Sequence, residues 1–190
     1  MKSRSLGALF LALLGLAHAA CRATPGGPYS TPAEGSRSTT EAERLNREAA
    51  GLIHADPARA EELLREALTK DLFYGPAHNN LGVIFLAQDK LYEAANELEW
   101  ARKLLPDSAD PRINLALCME RAGRTSEALR AYDSALEVAP ESLAAMQGAA
   151  ALSVRSGHAD PRLAAWIDQI ALRSVEPDWR EWALRRASKP

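Results

Sequence analysis

The most reactive groups in this 190-residue chain are two cysteines and four histidines, so their spacing is the first constraint on its chemistry. His18, His54, His78 and His158 lie far apart in sequence. None has a second His, Cys or paired carboxylate at helical ligand spacing, so no metal site is expected. Neither a glycine-rich phosphate loop nor a Gly-x-Ser-x-Gly nucleophile elbow occurs. Acidic residues are scattered, and Glu–Lys and Glu–Arg pairs at helical spacing support solvated helix faces. No catalytic residue, cofactor or enzymatic activity is expected from these patterns. Cys118 falls in an apolar helical pattern and reads as a buried thiol; a disulfide to Cys21 is the alternative in an exported chain. Two polar residues do recur regularly: Asn80 and Asn114 are 34 positions apart. An asparagine amide donates and accepts at once, which suits a peptide backbone of any sequence, although the same chemistry also serves local helix and loop groups.

The elements that must position such residues are almost entirely helical. Alanine and leucine dominate, aromatics are only 6%, and β-branched residues are scarce, which points to helix and away from sheet. A formal charge of -2, with no basic stripe, gives nucleic acid nothing to grip, so no nucleic-acid partner is expected.

Residues 1–20 read as a signal peptide: Lys2 and Arg4, an apolar run from Leu6 to Ala17 too short for a stable membrane span, then small residues. Ala19-Ala20-Cys21 resembles the lipobox of bacterial lipoproteins, with His18 where that family usually has leucine. The resemblance implies fatty acylation of Cys21, with palmitate-type chains, and a membrane-anchored lipoprotein facing the periplasm or cell surface. Cleavage after Ala17-His18-Ala19 is the other reading, giving a soluble periplasmic or secreted protein. Losing Lys2 and Arg4 takes the formal charge from -2 to -4. Residues 21–40, rich in Pro, Gly, Ser and Thr, read as a flexible tether.

Beyond the tether the chain repeats. Shifting Leu81–Pro106 by 34 residues lays Leu81 on Leu115, Gly82 on Ala116, Phe85 on Met119, Ala94 on Ala128, Leu98 on Tyr132, Ala101 on Ala135 and Pro106 on Pro140. Small falls on small and large on large, as two antiparallel helices joined by a short turn require. The pattern resembles the tetratricopeptide repeat, with His78 in the place of that family's tryptophan. The resemblance implies an all-α fold: a right-handed solenoid of helical hairpins closed by a C-terminal capping helix. The expected units are 41–74 and 143–176, both degenerate, around 75–108 and 109–142, with the cap at 177–190. In the first unit Leu45, Ala49 and Leu52 precede His78, Gly82 and Phe85 by 33, which a one-residue deletion in the turn explains. Thr40 with Glu43 is the expected capping box of the first helix, and Asp56-Pro57 the expected start of the second. Asp178 with Glu181 is expected to open the last helix, whose Trp179 and Trp182 either cap the stack or serve self-association.

In such repeats the first helices line a concave groove, and the family commonly places a ligand-contacting asparagine where Asn80 and Asn114 stand. The resemblance implies that role for both. Periodicity places Asn79, Val83, Leu86, Ile113, Leu117, Glu120 and Arg121 on the same helices. Their mix of apolar and charged groups suits a protein or peptide segment with hydrophobic anchors. The lysine-rich clamp that some family members use for a C-terminal carboxylate is not visible. The expected role is an exported, lipid-anchored protein-binding scaffold or adaptor in envelope, pilus or secretion assembly. Regulation of a cell-wall enzyme without catalysis, or self-association as a structural protein, are the alternatives.

Overall fold

The computed structural model describes residues 37–187. The expected signal peptide, Cys21 and most of the expected tether lie outside the described residues, as do the last three positions. Nine helices and no strand occur among those described: α1 (Thr39–Ala50), α2 (Pro57–Lys70), α3 (Gly75–Ala87), α4 (Leu91–Leu104), α5 (Asp110–Arg121), α6 (Thr125–Val138), α7 (Leu143–Ser156), α8 (Leu163–Arg173) and α9 (Pro177–Ala187). None is long and apolar enough to cross a membrane.

The helices pair as successive hairpins, α1 with α2, α3 with α4, α5 with α6 and α7 with α8, and each second helix packs on the first helix of the next pair. The first helices α1, α3, α5 and α7 also touch one another in sequence, whereas no comparable contact joins the second helices. That asymmetry makes the first helices the inner wall of a curved stack, the concave side.

Small residues at the crossings explain the close packing. A Cβ on Gly82 would lie 2.5 Å from Leu98 Cγ, so α3 and α4 meet at this distance only because position 82 has no side chain. Ala94, Leu98 and Ala101, like Ala128, Tyr132 and Ala135, are fully buried. Removing such side chains from water is the main stabilising term for an all-helical stack.

Three of the four inner-to-outer turns, those after α3, α5 and α7, end their first helices in the same way, whereas α1 ends on Gly51 in a right-handed conformation. Lys90 N–H donates to Phe85 O, Arg124 N–H to Met119 O and His158 N–H to Ser153 O, at 2.9, 2.8 and 3.0 Å. Each closes over a left-handed residue, and these again recur at the repeat period: Asp89 (φ 61°), Gly123 (φ 72°) and Gly157 (φ 71°).

The start of α1 differs from the sequence expectation. Ser38, not Thr40, is the N-cap, and its hydroxyl accepts from Glu41 N–H at 3.4 Å. The helix starts early because an acidic group from the far end of its partner helix ties it down. Asp71, fully buried, accepts from Thr39 Oγ1 at 2.8 Å and from Arg37 Nε at 2.8 Å, while Ser38 N–H donates to Lys70 O at 2.9 Å. Burial alone would raise the Asp71 carboxyl, but the hydrogen bonds from Thr39, Arg37 and the Phe73 N–H outweigh it and hold it below the ordinary carboxylate range. Asp56 caps α2 with Pro57 in the first turn, accepting from Arg59 N–H at 3.0 Å. Pro177, in front of Asp178, is the first residue of α9.

Helix α9 covers the end of the stack. Ala183 is buried, and Trp179 and Trp182 pack partly buried against the cluster formed by Trp166, Ile167 and Ile170. Their rings meet edge-on at 5.6 Å, with the Arg186 guanidinium over Trp182 at 4.2 Å. A terminal helix hides an apolar face in this way.

Candidate functional site

The inner wall carries two rows of polar contacts that step from hairpin to hairpin. Asn80 Nδ2 donates to Asn46 Oδ1 at 2.9 Å, joining α3 to α1. Asn114 Nδ2 donates to Asn79 Oδ1 at 3.0 Å, joining α5 to α3. With the 33-residue offset of the first hairpin, Asn46 stands where Asn79 stands in the second, so the two bonds are equivalent. The row stops at α7 because the corresponding positions hold Ile113 and Gly148, which have no amide.

Each pair consumes one N–H and one carbonyl, leaving an accepting Asn with both its N–H groups and a donating Asn with one N–H and its oxygen. The face thus keeps donors and acceptors of the kind a peptide backbone presents.

The second row uses arginine. Arg121 donates to Leu86 O and reaches Asp89 Oδ1 at 2.8 Å, joining α5 to the end of α3. One repeat later Arg155 donates to Glu120, joining α7 to α5. Glu120 also accepts from Tyr132 Oη at 2.6 Å; burial first, and this carboxylate second, push the phenol far up, so it keeps the proton it donates.

Between the rows lie apolar groups. Val83 is half-buried and Leu117, its equivalent, is 40% exposed. Val154 is 38% exposed at the place held by Leu86 and Glu120 in the preceding helices. Leu86 itself is buried, with its carbonyl held by Arg121, so it offers packing rather than open surface. Ile113 is half-buried against the C-terminal core.

The structure therefore brings Asn79, Asn80, Val83, Asn114, Leu117, Glu120 and Arg121 onto one wall, with Asn46, Val154 and Arg155 beside them. Those last three were missed in the sequence. Arg155 lies 34 after Arg121 and Asn46 lies 33 before Asn79, so periodicity alone could have found them had it been carried into the degenerate flanking units.

Chemistry of other kinds finds little to work with. Among the described residues no group of three or more His, Cys, Asp or Glu could hold a metal ion. Cys118 is buried, its Sγ donating to Leu91 O at 3.2 Å, and burial pushes the thiol up and away from reactivity. His78 is a structural residue: Nδ1 lies 2.7 Å from Glu97 Oε2, Nε2 lies 2.9 Å from Leu72 O, and the ring stacks on Trp100 at 5.8 Å.

No protein-family profile and no curated protein sequence matches the chain. Solved structures do. The first tetratricopeptide repeat domain of Spaghetti (RPAP3), bound to an HSP90 peptide, is similar with a TM-score of 0.60 at 14% identity, over 64% of this chain and 98% of that one. The fold is a tetratricopeptide-repeat solenoid. MamA is similar with a TM-score of 0.60 at 20% identity, over 78% of this chain and 81% of that one. A mutant of the Thermobaculum terrenum O-GlcNAc transferase reaches a TM-score of 0.62 at 22% identity over 75% of this chain, which spans only 26% of the transferase. At these identities the likeness is one of fold.

Proposed function

We propose that this tetratricopeptide solenoid is a protein-binding scaffold, exported and held to a membrane through acylated Cys21, and that its inner wall receives an extended segment of a partner protein. The observation that carries the reading is the pair of equivalent asparagine bonds, Asn80 to Asn46 and Asn114 to Asn79, set beside the exposed Leu117 and Val154. Spare amide groups at repeat spacing match a peptide backbone, whose own polar groups recur along an extended chain, and the apolar residues supply anchors. The peptide held by the Spaghetti domain is a precedent for this use of the fold. Export and anchoring are supported by the basic-then-apolar start and the Ala19-Ala20-Cys21 junction. Envelope, pilus or secretion assembly are the settings these features suit.

Two experiments test the proposal. Asn80→Asp with Asn114→Asp places carboxylates where backbone carbonyls would dock; affinity for the partner captured from the native envelope should fall about tenfold with helicity unchanged, since charge-bearing acceptors facing acceptors repel. Unchanged affinity would move binding to another face. Cys21→Ser should abolish incorporation of radioactive fatty acid and release the protein from membranes. An unlabelled wild-type protein would end the anchoring reading.

A further inference from the structure

On the outer side of the stack, away from the asparagine wall, a cleft of about 220 Å³ opens between α4, α5 and α6. Its floor is Leu115 and Met119 of α5 with Ala131 of α6; Arg112 and Ser134 close one end, and Arg130 stands at the rim. The volume is smaller than a typical pocket for a drug-sized molecule, about 300 Å³ upward, and suits one large side chain.

The repeat one step earlier shows what such a place holds when full. Counting back 34 residues, Met119 becomes Phe85, Ala131 becomes Glu97, Ser134 becomes Trp100, Arg112 becomes His78 and Arg130 becomes Asn96. There the space is taken up by the chain itself. Trp100 stacks on His78, Glu97 bonds to His78 Nδ1, and Phe85 is 4% exposed beneath the Arg65 guanidinium.

In the second cleft three of these fillers are smaller, phenyl to thioether, indole to hydroxymethyl and carboxylate to methyl, while His78 and Asn96 give way to the longer Arg112 and Arg130. The charge changes as well. A carboxylate is lost at position 131 and cations are gained at 112 and 130.

Arg112 is only 8% exposed, and its donors go to Leu105 O, Pro106 O, Ser108 O and Ser134 Oγ, at 3.4, 2.8, 2.6 and 3.1 Å. With four of its five in-plane N–H donors engaged, the main interaction left to it is through the flat face, which an aromatic ring can cover. The other rim charges are already spoken for: Glu99 pairs with Arg102 and Glu127 with Arg124, at 2.8 and 2.5 Å. Arg130 is exposed and enters no ion pair among the described residues.

We infer that the α4–α5–α6 cleft is a second docking site, which takes an aromatic side chain together with a neighbouring carboxylate from a helix of a partner protein. The ring covers Arg112 as Trp100 covers His78, and the carboxylate meets Arg130. The spacing is set by the chain's own example: Glu97 and Trp100 stand three apart on one helical face, so the partner presents Glu-x-x-Trp or a close equivalent. This site is independent of the asparagine wall.

The test uses the full chain and a short acetylated, amidated alanine–lysine helix carrying one Glu-x-x-Trp pair, followed by fluorescence anisotropy and by backbone amide shift mapping. Saturable binding is expected, with shifts centred on Met119, Arg130 and Ala131. Replacing Trp by Ala or Glu by Gln in the peptide should weaken it, and the double substitution Ala131→Glu with Ser134→Trp, which installs the preceding repeat's fillers, should cost about tenfold or more in affinity. Should that variant fold poorly, the exposed substitution Arg130→Glu gives the same reading, again with about a tenfold loss expected from charge reversal. No binding, binding indifferent to both variants, or shifts confined to α1, α3, α5 and α7 would overturn the site. The last result would leave the inner-wall proposal standing, and failure of the Asn80 and Asn114 test would leave this one standing.

Discussion

The second and third hairpins, α3/α4 and α5/α6, have the same backbone plan and solve its packing problems with different side chains. Where the repeat family places tryptophan, the second hairpin has His78 and the third Arg112, and both reach back to the carbonyls of the preceding loop: Leu72 O for the histidine; Leu105, Pro106 and Ser108 O for the arginine. Each is completed from its second helix at the same repeat position, by the Trp100 ring in one and the Ser134 hydroxyl in the other. The lesson is that the conserved quantity between neighbouring repeats is the satisfaction of buried carbonyls. Volume is not conserved, and the difference leaves the outer cleft of the third hairpin open.

The strongest way to break the comparison is to delete the carboxylate at Glu97. Glu97→Ala removes the carboxylate that lies 2.7 Å from Nδ1 of His78, a residue only 1% exposed, and removal of one partner of a buried polar pair costs about 3 kcal/mol. The equivalent position already holds alanine, so Ala131→Glu, which enters an open cleft, should cost less than about 1 kcal/mol, within the usual range of surface substitutions. Urea unfolding of both variants checks this. Equal shifts would mean the two clefts are packed alike.

Gly82→Ala comes next. The added methyl meets Leu98 Cγ at 2.5 Å, and overpacking of this kind costs about 2 kcal/mol. The third hairpin has Ala116 at this place, yet its opposing residue, Tyr132, is larger than Leu98. The resolution lies in the following helix: the Tyr132 ring lies against α7, where a Cβ on Gly148 would be 2.3 Å away. The need for a missing side chain has moved from position 82 of one hairpin to position 148 beyond the next. Gly148→Ala should therefore destabilise by a similar amount through a clash, while Ala116→Gly should cost the helix penalty of about 1 kcal/mol together with the burial of one methyl, about 0.8 kcal/mol, with no clash. Thermal unfolding of the three variants would separate the cases, and a harmless Gly148→Ala would contradict the placement of Tyr132.

This displacement marks how far the sequence could be read. The hairpins, their turns and the buried Ala94, Leu98, Ala128 and Tyr132 follow from a period of 34 and a rule of small opposite large. The asparagines at 80 and 114 were visible in the same way. What periodicity did not give was contact between repeats: that Asn80 bonds Asn46, that Arg121 holds Leu86 O, or that Gly148 makes room for Tyr132. Such contacts depend on a one-position stagger between neighbouring first helices, set by packing in three dimensions. The start of α1 was misread for a related reason, since Ser38 became the cap only because Asp71, at the far end of α2, holds Arg37 and Thr39 beside it.

A smaller effect, of opposite sign, is expected in the fourth hairpin, where the series Phe85, Met119 ends in Ser153. Ser153 is 1% exposed and its hydroxyl has no hydrogen-bond partner among the described residues. Ser153→Ala removes an unsatisfied buried group at the expense of little volume, and should stabilise by about 1 kcal/mol. A fall in the urea midpoint would show that the hydroxyl has a partner in solution.

The smallest expected effect compares the turns themselves. Gly123 and Asp89 hold the same left-handed conformation, which costs a residue with a Cβ about 1 kcal/mol. Gly123→Ala should therefore destabilise by about that amount, with open space around the new methyl and no clash to add to it. Asp89→Gly should behave differently. It relieves the backbone but gives up the contact with Arg121, an exposed pair worth about 0–1 kcal/mol, and frees the unfolded chain. These terms offset one another, so the midpoint should barely move, whereas the hydrogen-exchange protection at the α3–α5 joint should fall because Arg121 has lost one of its two anchors. If Asp89→Gly instead stabilised the chain as fully as Gly123→Ala destabilises it, the Arg121 contact would carry no weight, and the arginine row would be a feature of surface charge alone rather than a joint between hairpins.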